Sequence, residues 1–349
     1  MTHSFDRYQR QHQVAQLGGD AKQKFAAAHV LIVGVGGLGS PVSLFLAGAG
    51  IGEITLIDPD LVSLSNLHRQ ILYQENDISV SKVDAAHRRL HSLNSDISIN
   101  VVNSYLDVNN VAKLVNDATV VVDAADNFLV TYLLSDACYE HKKPLVCASV
   151  LGTHGYLGVF CSDLNIQEKS GDHLEKRLMA PSYRAVFPSP PSKVASCDTA
   201  GVTGPSVGII GSYQAQEVLK VIVGDPSQLL GRLMYIDLWD YHHEVIDFNG
   251  AREPSVWAEI IDLLSVTKDD VLLDVRGSSE VELNPALQAQ KLGEYINLPL
   301  DQLSTLGNEK LPLDSRIVCI CKSGQRALSA AHWLLNNGYA NVVVSTQSV

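Results

Sequence analysis

Four glycines near the start of the chain, Gly34, Gly36, Gly37 and Gly39, join an apolar strand pattern to an apolar helix pattern. Glycines in such a turn let backbone amides approach a phosphate, and the N-terminus of the following helix favours negative charge. The loop therefore predicts a bound nucleotide or dinucleotide, although tight packing alone would also explain glycines. Asp58 ends the next strand pattern, where a carboxylate can hold ribose hydroxyls. An NAD-dependent oxidoreductase would use the same turn.

Strand and helix patterns alternate from residue 29 to residue 160. This alternation predicts an α/β fold with a Rossmann-like, doubly wound and mostly parallel sheet that carries helices on both faces. Residues 162–196 are polar and then rich in proline and serine, which predicts a long mobile crossover loop. Turn residues near Asn249 and Pro254 indicate a boundary. We predict a first domain over residues 1–248, a linker over 249–260 and a small α/β domain over 261–349.

The composition excludes some classes of partner. The net charge is −12, with 38 acidic and 26 basic residues, which argues against a nucleic-acid partner. The uncharged run from Val30 to Gly52 is rich in glycine, so it predicts a buried strand, turn and helix rather than a membrane span. No signal-peptide pattern begins the sequence, and the cysteines lack disulfide spacing. We therefore expect reduced thiols, a cytoplasmic location and no membrane.

Polar and cationic residues follow the glycine turn. They are Asn66, Arg69, Gln70 and Lys82. A dehydrogenase has no need of this set, whereas adenylyl transfer must balance the charge of a triphosphate. Asp126 and Asn127 follow another strand pattern, so Asp126 is a candidate magnesium ligand at the usual ligand-binding edge of such a sheet. Solvation of each cation, and a helix N-cap at Asp126, are the alternatives.

These motifs, together with Arg7-Tyr8-x-Arg10-Gln11 near the N-terminus, resemble the ThiF/MoeB/HesA branch of the ubiquitin-activating superfamily. The resemblance implies an adenylyltransferase domain over 1–248 that binds ATP and Mg²⁺ and adenylates the C-terminal Gly-Gly carboxylate of a partner. It also implies that Asp58 holds the ribose, that Asp126 holds the metal, and that Arg10 reaches the site from the second subunit of a homodimer. The resemblance further implies that Asn66, Arg69 and Lys82 bind the phosphates. Gln70 and Asn127 belong to the same motifs.

Members of that branch usually carry two Cys-x-x-Cys pairs that hold a structural zinc. Here Ser182-Tyr183-Arg184-Ala185 stands where the first pair would fall, and the second is missing around Phe248. Ser and Ala cannot replace thiolate ligands, so we expect no zinc site. Cys197 precedes a glycine-containing helix pattern, and in some members the equivalent cysteine forms a covalent intermediate. A buried core thiol is the alternative for Cys197.

The C-terminal part resembles a rhodanese-like domain. Its main signature is the six-residue loop Cys321-Lys322-Ser323-Gly324-Gln325-Arg326 between a strand and a helix. Such a loop aims backbone amides and two cations at the cysteine, which stabilises a thiolate or a persulfide. Cys321 is therefore the candidate sulfur carrier, and Cys319 is expected in the strand core. The segment Lys291–Tyr295 departs from the usual pattern, so an inactive domain is the alternative.

The leading hypothesis is ATP-dependent adenylation of a ubiquitin-like sulfur carrier that ends in Gly-Gly, followed by sulfur transfer that gives a thiocarboxylate. The sulfur would come from a donor such as a cysteine desulfurase, and Cys197 would act as a second thiol. One alternative is adenylation of a peptide or tRNA-linked carboxylate without sulfur transfer. The other two are the NAD-dependent oxidoreductase and a non-catalytic scaffold that binds a ubiquitin-like protein.

Overall fold

The computed structural model describes residues 7–165, 177–189, 201–283 and 293–345. The strands in these ranges are β1 His29–Val33, β2 Glu53–Ile57, β3 Ser98–Val102, β4 Val120–Asp123, β5 Leu145–Leu151, β6 His154–Phe160, β7 Asp163–Asn165, β8 Arg177–Met179, β9 Arg232–Asp237, β10 His242–Asp247, β11 Glu259–Ile261, β12 Val271–Asp274, β13 Glu294–Asn297, β14 Ile317–Ile320 and β15 Val342–Ser345. The helices are α1 Gln9–His12, α2 Ala21–Ala27, α3 Gly39–Ala49, α4 Lys82–Leu93, α5 Val111–Asp117, α6 Phe128–His141, α7 Tyr183–Val186, α8 Gly204–Val223, α9 Ser278–Leu283, α10 Leu300–Lys310 and α11 Gln325–Asn336.

The larger sheet has eight strands in the order β10-β9-β6-β5-β4-β1-β2-β3. The five strands from β5 to β3 are parallel, and β6, β9 and β10 continue the sheet in antiparallel fashion. Strands β1, β2 and β4 are almost fully buried, as expected for strands covered by helices on both faces, whereas β3 at the sheet edge is mostly exposed. The predicted mostly parallel, doubly wound α/β fold is confirmed.

The direction of winding reverses between β1 and β4. The chain moves from β1 outward to β2 and β3, and then returns to place β4 on the other side of β1. Val33 pairs with both Ile57 and Asp123, so three strands end level with one another. A crevice at the carboxyl ends of the strands beside such a reversal is where open α/β sheets bind ligands. The glycine loop begins at this point.

The smaller sheet is entirely parallel, with five strands in the order β11-β15-β14-β12-β13. The division into residues 1–248, 249–260 and 261–349 stays a prediction. The large sheet ends at Asp247, and the small sheet begins at Glu259, inside the predicted linker. Phe248 and Ala258 from the junction belong to one continuous core cluster with side chains of both sheets, so the two units pack directly on each other.

The prediction of a mobile loop over residues 162–196 is wrong for the part of that segment that the structure describes. Strands β7 and β8 form an antiparallel ribbon, and α7 follows with Ser182 as its N-cap. The carboxylate of Glu253 accepts hydrogen bonds from Ser182 N at 2.8 Å and from Ser182 Oγ at 2.5 Å. Ser182 stands where the family resemblance would place the first cysteine pair. These two hydrogen bonds, here called the Ser182–Glu253 clamp, fasten α7 to the domain junction.

A partly buried ion pair also holds α7. The guanidinium of Arg184 donates to both carboxylate oxygens of Asp136 at 2.6 and 2.8 Å and lies 4.6 Å from the ring centre of Tyr132. Burial raises the pKa of Asp136, and the Arg184 charge opposes that rise.

No helix in the described ranges is both long enough and apolar enough to cross a membrane.

Candidate nucleotide site and sulfur loop

The glycine loop is built so that side chains would not fit. Gly34 has a φ of 86°, and a Cβ there would lie 2.7 Å from the carbonyl oxygen of Ala124. A Cβ at Gly37 would lie 2.8 Å from Val207 on α8, and one at Gly39 would overlap the carbonyl of Gly34. The loop leads directly into α3, whose first amides lack partners within the helix. The backbone is therefore open to an anionic ligand at the sheet edge, as the sequence predicts.

Asp58 is buried beside this loop. One of its oxygens accepts from Val35 N at 2.8 Å, and the other accepts from Asp60 N at 2.9 Å. Lys82 is 5 % exposed, and its Nζ lies 2.8 Å from Asp60 and 3.9 Å from Asp58. Burial raises the pKa of Asp58, and the Lys82 charge opposes that rise. A buried cation therefore stands at the carboxyl edge of the sheet, next to the glycine loop.

Gln70 reaches the same loop. A Cβ at Gly36 would lie 3.4 Å from Gln70 Nε2, and the buried Oε1 of Gln70 has no hydrogen-bond partner. An unpaired polar atom this deep is costly unless a ligand satisfies it. The aliphatic part of Arg69 lies beside Gly37, and its guanidinium donates to Ser65 O at 3.1 Å. Asn66 precedes them on a short 3-10 turn and is half-buried.

Tyr73 also contacts the glycine loop, although no sequence motif includes it. Its hydroxyl donates to the carbonyl of Val35 at 2.6 Å, so it fixes a peptide plane of the glycine loop. Burial raises the pKa of Tyr73, and the nearby carboxylate of Asp58 raises it further. Tyr73 follows Gln70 by three residues, but an isolated tyrosine in an apolar stretch is typical of a core side chain, so the sequence does not mark it.

The strand end at Asp123 contributes two kinds of carboxyl group. Asp123 is buried, and burial raises its pKa to about 6, although hydrogen bonds from Thr131 and Ala125 oppose that rise. Asp126 is exposed three residues later. The alternative that Asp126 caps the following helix is wrong, because Asn127 is the N-cap and accepts from Leu129 N at 2.9 Å.

The residues at this edge suit magnesium bound together with a nucleotide. No group of three or more His, Cys, Asp and Glu side chains positioned for a metal occurs in the described part of the chain. Magnesium does not require one, because it is commonly held by one or two carboxylates together with phosphate oxygens and water. The single carboxylate of Asp126 would be enough for such a site. Its role as a metal ligand stays a prediction.

Arg10 lies away from this edge within one chain. It belongs to α1, and its neighbours Tyr8 and Gln11 contact the C-terminal end of α3, where Gln11 Nε2 donates to Ala49 O at 3.0 Å. The glycine loop is at the other end of α3, about 16 Å away for eleven residues. The structure thus separates Arg10 from the other site residues of its own chain.

The sulfur loop follows β14. Cys321 is 1 % exposed, and its Sγ accepts from Ala327 N at 3.4 Å. Lys322 and Ser323 are exposed, Gly324 has a φ of 79°, and Gln325 begins α11. Cys319 is buried in β14 with a raised pKa, which confirms it as a core thiol.

Arg326 does not point freely at the cysteine. It donates to both oxygens of Glu280 at 2.6 and 2.9 Å, and this pairing lowers the pKa of Glu280 to about 2. Glu280 is a second residue that no sequence motif singled out. Cys197 lies outside the described residues. The remaining cysteines, Cys138, Cys147 and Cys161, are buried with raised pKa values, as expected for core thiols.

Comparison with known proteins assigns both parts of the chain. Residues 8–258 match the ThiF family, and residues 257–349 match the rhodanese-like domain. The adenylyltransferase and sulfurtransferase MOCS3 of Culex quinquefasciatus is 42 % identical over 233 residues, which is 66 % of this chain and 50 % of that protein. The adenylyltransferase and sulfurtransferase uba4 of Aspergillus clavatus is 40 % identical over 230 residues, which is 65 % of this chain and 45 % of that protein. The chain therefore spans about half the length of the curated relatives it matches.

Solved structures support the fold. The crystal structure of E. coli MccB with ATP has a TM-score of 0.57 and 24 % identity, and the match covers 72 % of this chain and 74 % of that one. A structure of SeMet PaaA has a TM-score of 0.53 at 22 % identity, covering 69 % and 72 %. At this identity the likeness concerns the fold alone.

Proposed function

Because this chain belongs to the ThiF family, we propose that it uses ATP to adenylate the C-terminal carboxylate of a ubiquitin-like sulfur carrier ending in Gly-Gly, and then loads sulfur onto it. The observation that carries the proposal is Lys82, a buried cation held by Asp58 and Asp60 beside the glycine loop. A triphosphate needs such a charge at this edge, whereas a dinucleotide cofactor does not. The names of the curated relatives, adenylyltransferase and sulfurtransferase, agree with both steps.

The nucleotide would lie across the carboxyl edge of the sheet. The loop amides and the N-terminus of α3 face its phosphates, Asp58 holds the ribose, and Asn66, Arg69 and Lys82 balance the phosphate charge. Gln70 Oε1 is the buried acceptor that a bound ligand would satisfy. The carrier's carboxylate attacks the α-phosphorus, and pyrophosphate leaves with its bonding electrons. The side chains mainly position the reactants and neutralise charge.

Magnesium would be held by Asp126, with Asn127 beside it, and would neutralise the charge of the phosphates when bound. Arg10 would come from a second copy of the chain, since its own glycine loop lies at the far end of α3. Helices α3 and α8 pack together and expose Phe45, Ile209 and Tyr213. Exposed apolar side chains on neighbouring helices are typical of an interface, which fits the proposed homodimer.

Sulfur transfer would use Cys321. A sulfur donor such as a cysteine desulfurase leaves a persulfide on Cys321, and its terminal sulfur attacks the acyl carbon of the carrier adenylate. The bond from that carbon to AMP breaks, so the product is an acyl disulfide and free AMP. A second thiol, for which Cys197 is the candidate, then attacks the Cys321 sulfur, forms a disulfide with it and releases the thiocarboxylate. The reduced thiols that these steps require fit a cytoplasmic location.

Adenylation of a peptide or tRNA-linked carboxylate without sulfur transfer explains the nucleotide site equally well, but it leaves the sulfur loop without a role. Product formation that is unchanged in Cys321→Ala would favour it. Bound reduced nicotinamide would favour the oxidoreductase, and carrier binding without ATP turnover would favour the scaffold.

Pyrophosphate exchange into ATP, measured with a Gly-Gly-ended carrier and Mg²⁺, tests the proposal. Lys82→Met is expected to lower exchange by about 10²-fold or more, as for the loss of one preorganised charge in a closed site. Lys113→Met, at an exposed lysine of α5, is the matched control and should exchange like the wild type. Equal exchange in the two variants would refute the assignment of the nucleotide site.

A further inference from the structure

The sulfur loop touches the larger domain at one residue of α6. Gly324, at the tip of the loop, is buried, and a Cβ added there would overlap the side chain of Leu129. Leu129 and Cys321 belong to the same continuous core cluster. The glycine is therefore needed for close approach as well as for its positive φ, and the partner in that approach is the first turn of α6.

Helices α6 and α11 continue this contact side by side. Tyr132 and Leu328, each about one turn further along its helix, line one cavity between the domains. At the far end of the interface, His332 Nε2 lies 2.8 Å from Ser189 Oγ. The first turns of the two helices are thus neighbours. Leu129 is the residue of α6 that contacts the sulfur loop at Gly324.

The residues at the nucleotide edge come directly before this first turn. Asn127 Oδ1 accepts from Leu129 N at 2.9 Å, and Asp126 immediately precedes Asn127. The side chain that would turn toward a bound nucleotide is the one that now caps the helix. A change at Asn127 therefore alters the support of the residue that covers the sulfur loop.

We propose that Leu129 is a positioning residue that seats the Cys321 loop and links it to nucleotide binding. This inference rests on the proposed function for the nucleotide, but the contact itself does not. The capped turn holds Leu129 on Gly324, and the Cys321 thiol is buried beneath the loop. If Asp126 and Asn127 turned to hold Mg-ATP, Asn127 would no longer cap the helix and the loop would open.

Alkylation of Cys321 in the full chain tests the inference. Iodoacetamide labelling is followed over time, and tandem mass spectrometry of the tryptic peptide 317–322 separates Cys321 from Cys319. In the wild type, Mg-ATP should accelerate labelling of Cys321 by about fivefold. This is the change in an equilibrium constant that corresponds to the loss of one N-cap hydrogen bond. In Leu129→Ala, labelling without nucleotide should be faster on the order of tenfold, because a buried leucine contact is lost. Mg-ATP should add nothing further.

Two variants keep the result interpretable. Leu93→Ala, at an exposed leucine that ends α4, should label like the wild type with and without nucleotide. If Leu129→Ala does not fold, as judged by its melting temperature, Asn127→Ala removes the cap while keeping Leu129, and it should raise the nucleotide-free rate by about fivefold.

The inference is overturned if wild-type Cys321 labels without nucleotide as fast as it does in Leu129→Ala or Asn127→Ala, or if Mg-ATP accelerates Leu129→Ala as much as the wild type. Equilibrium dialysis with ATP separates this from the proposed function. If ATP binds but wild-type labelling does not change, the link fails and the proposed function stands. If ATP does not bind, the proposed function fails, and the nucleotide-free rates still decide whether Leu129 covers the loop.

Discussion

Replacing Asp123 by Asn should stabilise the protein at neutral and alkaline pH. Asp123 is 1 % exposed at the end of β4, and burial raises its pKa from 3.8 to about 6. The carboxylate is therefore ionised in the folded protein above pH 6 at a cost, and a difference between 3.8 and about 6 corresponds to about 3 kcal/mol. Asn keeps an acceptor for Ala125 N, which now donates at 3.1 Å, and gives up the charge.

The sign of the pH dependence follows from proton binding. Because the folded pKa is the higher one, the folded state binds more protons than the unfolded state between about pH 4 and pH 6. The contribution of Asp123 to stability therefore falls as the pH rises through this window and is constant above about pH 7. Asp123→Asn should be more stable than the wild type by about 3 kcal/mol at pH 8 and about 1.5 kcal/mol at pH 5.

Urea unfolding followed by circular dichroism at the two pH values measures these differences. Asp117→Asn, an exposed position at the end of α5, is the matched control and should change the unfolding free energy by less than about 0.5 kcal/mol. A wild type as stable as Asp123→Asn at pH 8, or a difference that does not shrink at pH 5, would show that the buried carboxylate is not under strain from desolvation.

Three further substitutions, one of them with a matched control, test other parts of the structure. Gly34→Ala should destabilise by about 1–3 kcal/mol because of its positive φ and the Ala124 carbonyl, whereas Gly48→Ala, in open space on α3, should stabilise by about 0.5–1 kcal/mol in the same urea experiment. Tyr73→Phe leaves the buried Val35 carbonyl without its donor, so we expect a loss of about 1–3 kcal/mol together with a higher KM for ATP in pyrophosphate exchange; an unchanged KM would remove Tyr73 from the site. Glu253→Ala should lower the melting temperature through the loss of about 1–3 kcal/mol of hydrogen bonding to Ser182, while a melting temperature equal to the wild type would show that the clamp is not formed.

Local patterns predicted most of the fold. Strand and helix periodicities, and the position of the glycine turn, follow from which side chains must be buried, so β1, α3 and β2 appear where the sequence places them. The ribbon β7–β8 and helix α7 were not foreseeable in the same way. They are short, and α7 is fastened by Glu253, which lies 71 residues away from Ser182 in the chain.

The site shows the same division. The side chains that follow the glycine turn carry motif signals, and Asp58, Gln70 and Lys82 do meet at the loop. Tyr73 contacts the backbone carbonyl of Val35, and Leu129 packs against the backbone of Gly324. Many residue types can make such contacts, so the sequence does not mark these two positions. The approach of the sulfur loop to α6 depends on how two domains pack, and neither domain's sequence pattern contains that information.

The Ser182–Glu253 clamp affects how the stability of the protein depends on the metal content of the solution. A joint closed by a metal ion grows stronger as the free ion concentration rises, because binding to the folded state adds a mass-action contribution to stability. Two hydrogen bonds from the chain's own atoms add no such contribution. The stabilising free energy of the Ser182–Glu253 clamp therefore comes from the polypeptide's own atoms. It should not change with a chelator or with the free metal concentration.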